Sequence, residues 1–147
     1  MELKTSSEVI SFTRQLEEAG IRFYEALAKR FIKDEEIMLA LAKENKRNIA
    51  QVERAYYGVI TDALEGCFAF AINPNNYAPD VELPENVSYA EALKQALAVE
   101  EKMQQFYTDA AEQSKSLMAD VLRAFILLTN KRGKRIELLK SLIANAS

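Results

Sequence analysis

The sequence predicts an all-α fold: a four-helix bundle made of two similar antiparallel helix pairs joined by one long crossover. Three observations carry that prediction. Four stretches place apolar residues every three or four positions, the helix-breaking residues gather between the second and third stretch, and the two halves resemble each other. At 147 residues the chain is the size of one ordinary domain, and residues 1–147 are expected to form a single one.

The first helix is predicted to open at Thr5-Ser6-Ser7-Glu8, a capping-box pattern, and to run to about Phe31 with Ile10, Gly20, Tyr24, Leu27 and Phe31 on its buried face. The second starts near Asp34 and continues to about Ala63, with a stripe of Met38, Leu41, Val52, Tyr56 and Val59. These two make a helix pair over 5–66. Pro74, Pro79 and Pro84, with four asparagines, fall within 73–86, and proline removes a backbone donor and clashes inside a helix. The crossover is therefore set at 67–87. The third helix opens at a second capping-box pattern, Ser88-Tyr89-Ala90-Glu91. The fourth runs from about Ser116 to Ile143 and buries Val121, Phe125, Leu128, Ile136, Leu139 and Leu142, which closes a second pair over 88–144. A second helix of about 30 residues is about 45 Å long, and a crossover of roughly 20 residues can return along it. The second and third helices can then lie parallel, whereas the alternative is a plain up-down bundle with a loose excursion.

The repeat is visible residue by residue. Glu17-Glu18-Ala19-Gly20-Ile21-Arg22-Phe23-Tyr24 aligns with Glu100-Glu101-Lys102-Met103-Gln104-Gln105-Phe106-Tyr107 at an offset of 83. Asn48-Ile49 aligns with Arg135-Ile136 at an offset of 87, and the extra residues fall in the turn of a pair, where insertions are tolerated.

Composition narrows the function classes. An apolar fraction of 49% and a charged fraction of 28% belong to a folded, water-facing protein, and a net charge of −3 argues against a general nucleic-acid binder. The first residues show no basic-then-apolar signal pattern, and no apolar run approaches the ~20 residues needed to span a bilayer, so the expected address is the cytoplasm with no membrane partner. The single cysteine, Cys67, fits a reducing compartment and reads more simply as a small hydrophobe than as a reactive thiol. The chain has no histidine, which removes the commonest metal ligand and every histidine-dependent mechanism.

Six polar residues interrupt the apolar faces. Glu17 lies on the stripe of the first helix and Glu100 on that of the third, Asn45 and Asn48 break the second, and Arg132 and Arg135 break the fourth. All six are expected to converge on the middle of the bundle. Within Lys131-Arg132-Gly133-Lys134-Arg135, turning Arg132 and Arg135 inward leaves too few outward charges for a phosphate-binding patch.

A glutamate seven residues before the tyrosine of a Phe-Tyr pair, followed one helix later by Glu-x-x-His, occurs twice in rubrerythrin-like members of the ferritin superfamily, and this chain resembles them over nearly its whole length. The resemblance implies a diiron-carboxylate ancestry. Glu17 and Glu100 match the lone glutamate ligands, while Asn45 and Asn48, then Arg132 and Arg135, stand where the two Glu-x-x-His pairs would be. Tyr24 and Tyr107 match tyrosines that hydrogen-bond the ligand carboxylates; their plain role is as core tyrosines capped by a glutamate rather than as redox centres. Asparagine is a poor ligand and a protonated arginine is none, so the expectation is a degenerate, metal-free centre with no cofactor, no catalytic residue and a Glu/Arg/Asn network in place of metal. The expected function is that of a non-catalytic structural or interaction protein, most simply a homodimer. The alternative is an oxidoreductase or iron-handling protein with an atypical iron site using Glu17, Glu100 and a shifted Glu44 or Glu53. A small anion held by the two arginines is a third possibility.

Overall fold

The computed structural model describes residues 2–57, 68–114 and 119–146. Among the described residues four helices dominate: α1 (Ser6–Arg30), α2 (Glu35–Tyr57), α3 (Tyr89–Gln113) and α4 (Ala119–Ala146). They are joined by a two-stranded antiparallel ribbon of β1 (Leu3–Thr5) and β2 (Phe68–Ile72), a departure from the purely helical expectation. The expected ends of the second helix beyond Tyr57, the start of the fourth at Ser116, and Cys67 all lie outside the described residues. None of the described helices is long and apolar enough to cross a membrane.

Local chemistry sets the helix starts. The Thr5 hydroxyl accepts from Glu8 N–H at 3.1 Å and Glu8 Oε1 accepts from Thr5 N–H at 3.0 Å, so the predicted capping box opens α1. At α3, Ser88 accepts from Glu91 N–H at 3.1 Å, but the Glu91 carboxylate takes the Ser88 hydroxyl at 2.9 Å rather than a backbone donor. Phe31 leaves helical geometry and ends α1, and a single 3-10 turn over Ile32–Asp34 leads into α2. That connection is too short to do anything but reverse the chain.

Side-chain pairs fix the packing directions. Arg14 meets Glu53 and Lys46 meets Glu25, so α1 and α2 are antiparallel. Glu100 meets Arg132 and Gln104 donates to Thr129 O, so α3 and α4 are antiparallel too. Between the pairs, α1 runs against α3 through Tyr24 to Glu100 and Tyr107 to Glu17, and α2 against α4 through Asn48 to Lys131 and Glu44 to Arg135. The core follows the repeat closely. At an offset of 83, Leu16/Val99, Phe23/Phe106, Tyr24/Tyr107 and Ala28/Ala111 are buried in both halves. At 87, Met38/Phe125, Leu41/Leu128, Ile49/Ile136 and Val52/Leu139 are too.

The proline-rich segment is strapped to the bundle rather than loose. Tyr77 donates to Asp109 at 2.5 Å and lays its ring edge-on to Phe106. Gln95 donates to the carbonyls of Asp80 and Glu82 at 2.9 and 2.8 Å and Arg30 to that of Pro84 at 2.5 Å, while at the first residue of α3 Tyr89 donates to Asp34 at 2.5 Å. Val81, Leu83 and Val87 pack partly buried against the core between these straps.

Candidate functional site

The six polar residues singled out by helical spacing do converge. Glu17, Asn45, Asn48, Glu100 and Arg132 are fully buried and Arg135 is 3% exposed. Arg132 lies between the two glutamates: Nη1 reaches Glu100 Oε1 at 2.6 Å and Nη2 pairs with Glu17 Oε2. One guanidinium thus bridges both carboxylates with separate nitrogens, an arrangement a lysine cannot reproduce with a planar fork.

Each carboxylate also receives a phenol from the opposite half of the chain. Tyr24 donates to Glu100 Oε2 at 2.6 Å, and Tyr107 donates to Glu17 Oε2. This exchange follows the internal repeat, since Glu17/Glu100 and Tyr24/Tyr107 are equivalent positions. The second cation binds one side only. Arg135 Nε lies 3.1 Å from Glu100 Oε1, and its Cζ sits 5.1 Å from the centre of the Tyr24 ring. Glu17 is completed by amides: Asn48 Nδ2 donates to its Oε1 at 3.2 Å and Asn45 Nδ2 to its backbone carbonyl at 3.3 Å.

Three further residues take part. Glu44 reaches Arg135 Nη1 at 3.3 Å from the partly exposed edge of α2, and Lys131 leans inward to Asn48 Oδ1 and Gln51 Oε1 at 3.4 and 3.3 Å. Both stand one position away from an inward residue, and their long side chains reach back across the seam. Gly20 is the third. A Cβ there would overlap Asn45 Nδ2, so the glycine exists to admit the amide rather than to relax the backbone. Glu53, in contrast, is engaged by Arg14 at 2.8 Å on the outer side of α1 and α2, well away from the glutamate pair.

The electrostatics follow from burial and pairing. Burial pushes the Glu100 carboxyl up, but Arg132, Arg135 and the Tyr24 phenol outweigh it and hold the group below its ordinary range. Burial lowers the Arg132 pKa, yet Glu100 and Glu17 together raise it well above normal, so it stays charged. Tyr24 and Tyr107 are raised well above an ordinary tyrosine, first by burial and then by the carboxylates beside them. Two buried glutamates and two buried arginines cancel, and Glu44 and Lys131 cancel at the rim.

As a donor set for a pair of metal ions this is poor. Among the described residues no three His, Cys, Asp or Glu side chains lie close enough together to hold a metal, and the two central carboxylates share a guanidinium. Arg132 Nε, Arg135 Nη2 and Asn45 Oδ1 have no hydrogen-bond partner among the described residues. No family model, curated protein or solved structure matches this chain, so the centre has to be understood from its own chemistry.

Proposed function

We propose that the chain is a rubrerythrin-like, ferritin-type bundle whose diiron centre has given way to an internal salt-bridge and amide network, and that it acts as a non-catalytic structural or interaction protein. The observation that carries this reading is the position of Arg132, with one nitrogen on each of the two carboxylates that would otherwise ligate metal. The packing directions support it further. With α1 antiparallel to both α2 and α3, those two helices run parallel, as a ferritin-type connection requires. The non-catalytic part rests on saturation: both carboxylates are spent on cations, phenols and amides, and every one of these groups is shut off from solvent.

Elemental analysis of protein purified aerobically without chelator is expected to find far less than one iron, manganese or zinc per chain; one or more per chain overturns the reading. Restoring ligands tests the ancestry directly. The combined change Asn45→Glu, Asn48→His, Arg132→Glu and Arg135→His is expected to be unstable alone, because four carboxylates then repel each other in the core. Ferrous iron or manganese should raise its melting temperature while leaving that of the parent unchanged. A folded variant that gains nothing from metal would show that the six positions are not a former ligand set.

A further inference from the structure

The centre keeps the internal repeat at two residue pairs and breaks it in charge at two, and both charge breaks have the same sense. Glu17/Glu100 and Tyr24/Tyr107 are identical pairs, and each tyrosine serves the other half's glutamate. Asn45/Arg132 and Asn48/Arg135 occupy equivalent, equally buried positions, yet the first half carries both amides and the second both guanidiniums. Gly20/Met103, both buried, differ in size in the same region, the glycine beside the amide.

Consider what each inner face would meet in other company. Two copies of the α1–α2 face would bury two Glu17 carboxylates with only amides and phenols around them. Two copies of the α3–α4 face would bury four guanidiniums against two carboxylates. Only the unlike pairing is neutral, with every carboxylate on a cation. In a low-dielectric interior an uncompensated charge is far more disruptive than any apolar mismatch. The apolar positions of the two faces are buried in both halves, so the sharpest difference between the faces is their charge.

We infer that the buried network is a pairing code: the inner face of the α1–α2 helix pair recognises an α3–α4 face carrying two guanidiniums and rejects a second copy of itself. The code dictates that the two halves close on each other, and that any exchange of helix pairs between copies of the chain must match unlike halves. It is built on equivalence of position, so it should also work when transposed. This inference stands on the repeat and the charge distribution, independently of any metal-binding past.

Transposition in the full-length chain tests it. R132N/R135N removes both buried cations, and N45R/N48R doubles them. Each double variant should lower the urea midpoint by about 2 M, the effect of uncompensated buried charge. The quadruple variant N45R/N48R/R132N/R135N restores neutrality with the arginines on the opposite face. It should recover more than half of the midpoint lost by the worse double, a strongly non-additive result. If a double variant fails to fold while the quadruple folds, the code is equally supported. A quadruple variant no more stable than the better double, or one that does not fold, overturns it.

Discussion

Arg132 is the residue on which the centre turns, and its two partners are not equivalent. Removing it by Arg132→Met strands Glu17 among neutral donors while Glu100 keeps Arg135, and should destabilise by about 3–5 kcal/mol, whereas the exposed Lys134→Ala should be close to neutral. Compensation then depends on which glutamate goes with it. R132M/E17L leaves Glu100 still balanced by Arg135, but R132M/E100L leaves Glu17 with neutral donors alone. The first double should therefore be the more stable in a denaturant titration; equal midpoints would mean Arg135 does not share the load. Gly20 makes a second residue-level prediction. In an open helix Gly→Ala gains up to about 1 kcal/mol, but here the added methyl meets Asn45 and should destabilise by about 1–3 kcal/mol. Adding Asn45→Ala removes the obstacle and should recover that part of the loss; a G20A variant as stable as the parent refutes the steric account. Which residues turn inward was legible in the sequence because helical spacing fixes direction. Which cation each carboxylate takes was not, because that depends on side-chain reach across helices, as Glu44 and Lys131 show.

Among the elements, those defined by neighbouring residues were readable and those defined by distant ones were not. The capping residues Thr5 and Ser88 announce their helices because cap and target are three residues apart. The ribbon pairs Leu3 with Ile72, a separation no local pattern reveals, although Phe70 and Ile72 facing the core with exposed Ala71 between them is a strand-like alternation. Both strands have side chains on their free backbone groups. Glu8 takes the N–H groups of Lys4 and Thr5, and Gln113 pairs its amide with both the N–H and carbonyl of Ala71, at 2.8 and 3.4 Å. A short ribbon capped in this way offers little template for strand addition. The proline-rich strap is held mainly by side-chain hydrogen bonds at its edge, so it should loosen without unfolding the bundle. Gln95→Ala forfeits two bonds to the Asp80 and Glu82 carbonyls and should speed proteolytic cutting within 77–88 about tenfold while the melting temperature barely moves. A cutting rate that changes only in proportion to global stability would show that the strap and bundle open as one unit.

For the whole molecule, the network sets the limits of pH over which the two halves stay together. Glu100 has a folded pKa below its ordinary 4.5, so its contribution is present above that value and is lost as pH falls through the lowered folded pKa. The tyrosines act at the other end. Tyr24 and Tyr107 have folded pKa values raised well above 10, so their contribution is complete below pH 10 and drains away above it, as the unfolded chain ionises its phenols while the folded chain keeps them protonated. Tyr77 in the strap, raised to about 12 by burial and Asp109, and Tyr89 at the start of α3, raised by burial and Asp34, act in the same direction. Melting temperature should therefore be nearly flat across neutral pH, fall below pH 4.5, and fall again above pH 10. Replacing the central pair with Y24F/Y107F removes two hydrogen-bond donors from buried carboxylates and should lower stability at pH 7. The same variant should flatten the alkaline limb, because two phenols no longer bind protons more tightly in the folded state. The outer variant Y77F/Y89F should flatten that limb less, since those phenols remain partly solvated. If Y24F/Y107F keeps the parent's slope above pH 10, the two phenols are not the closed, proton-holding link between the halves that their burial and their exchange of glutamates require.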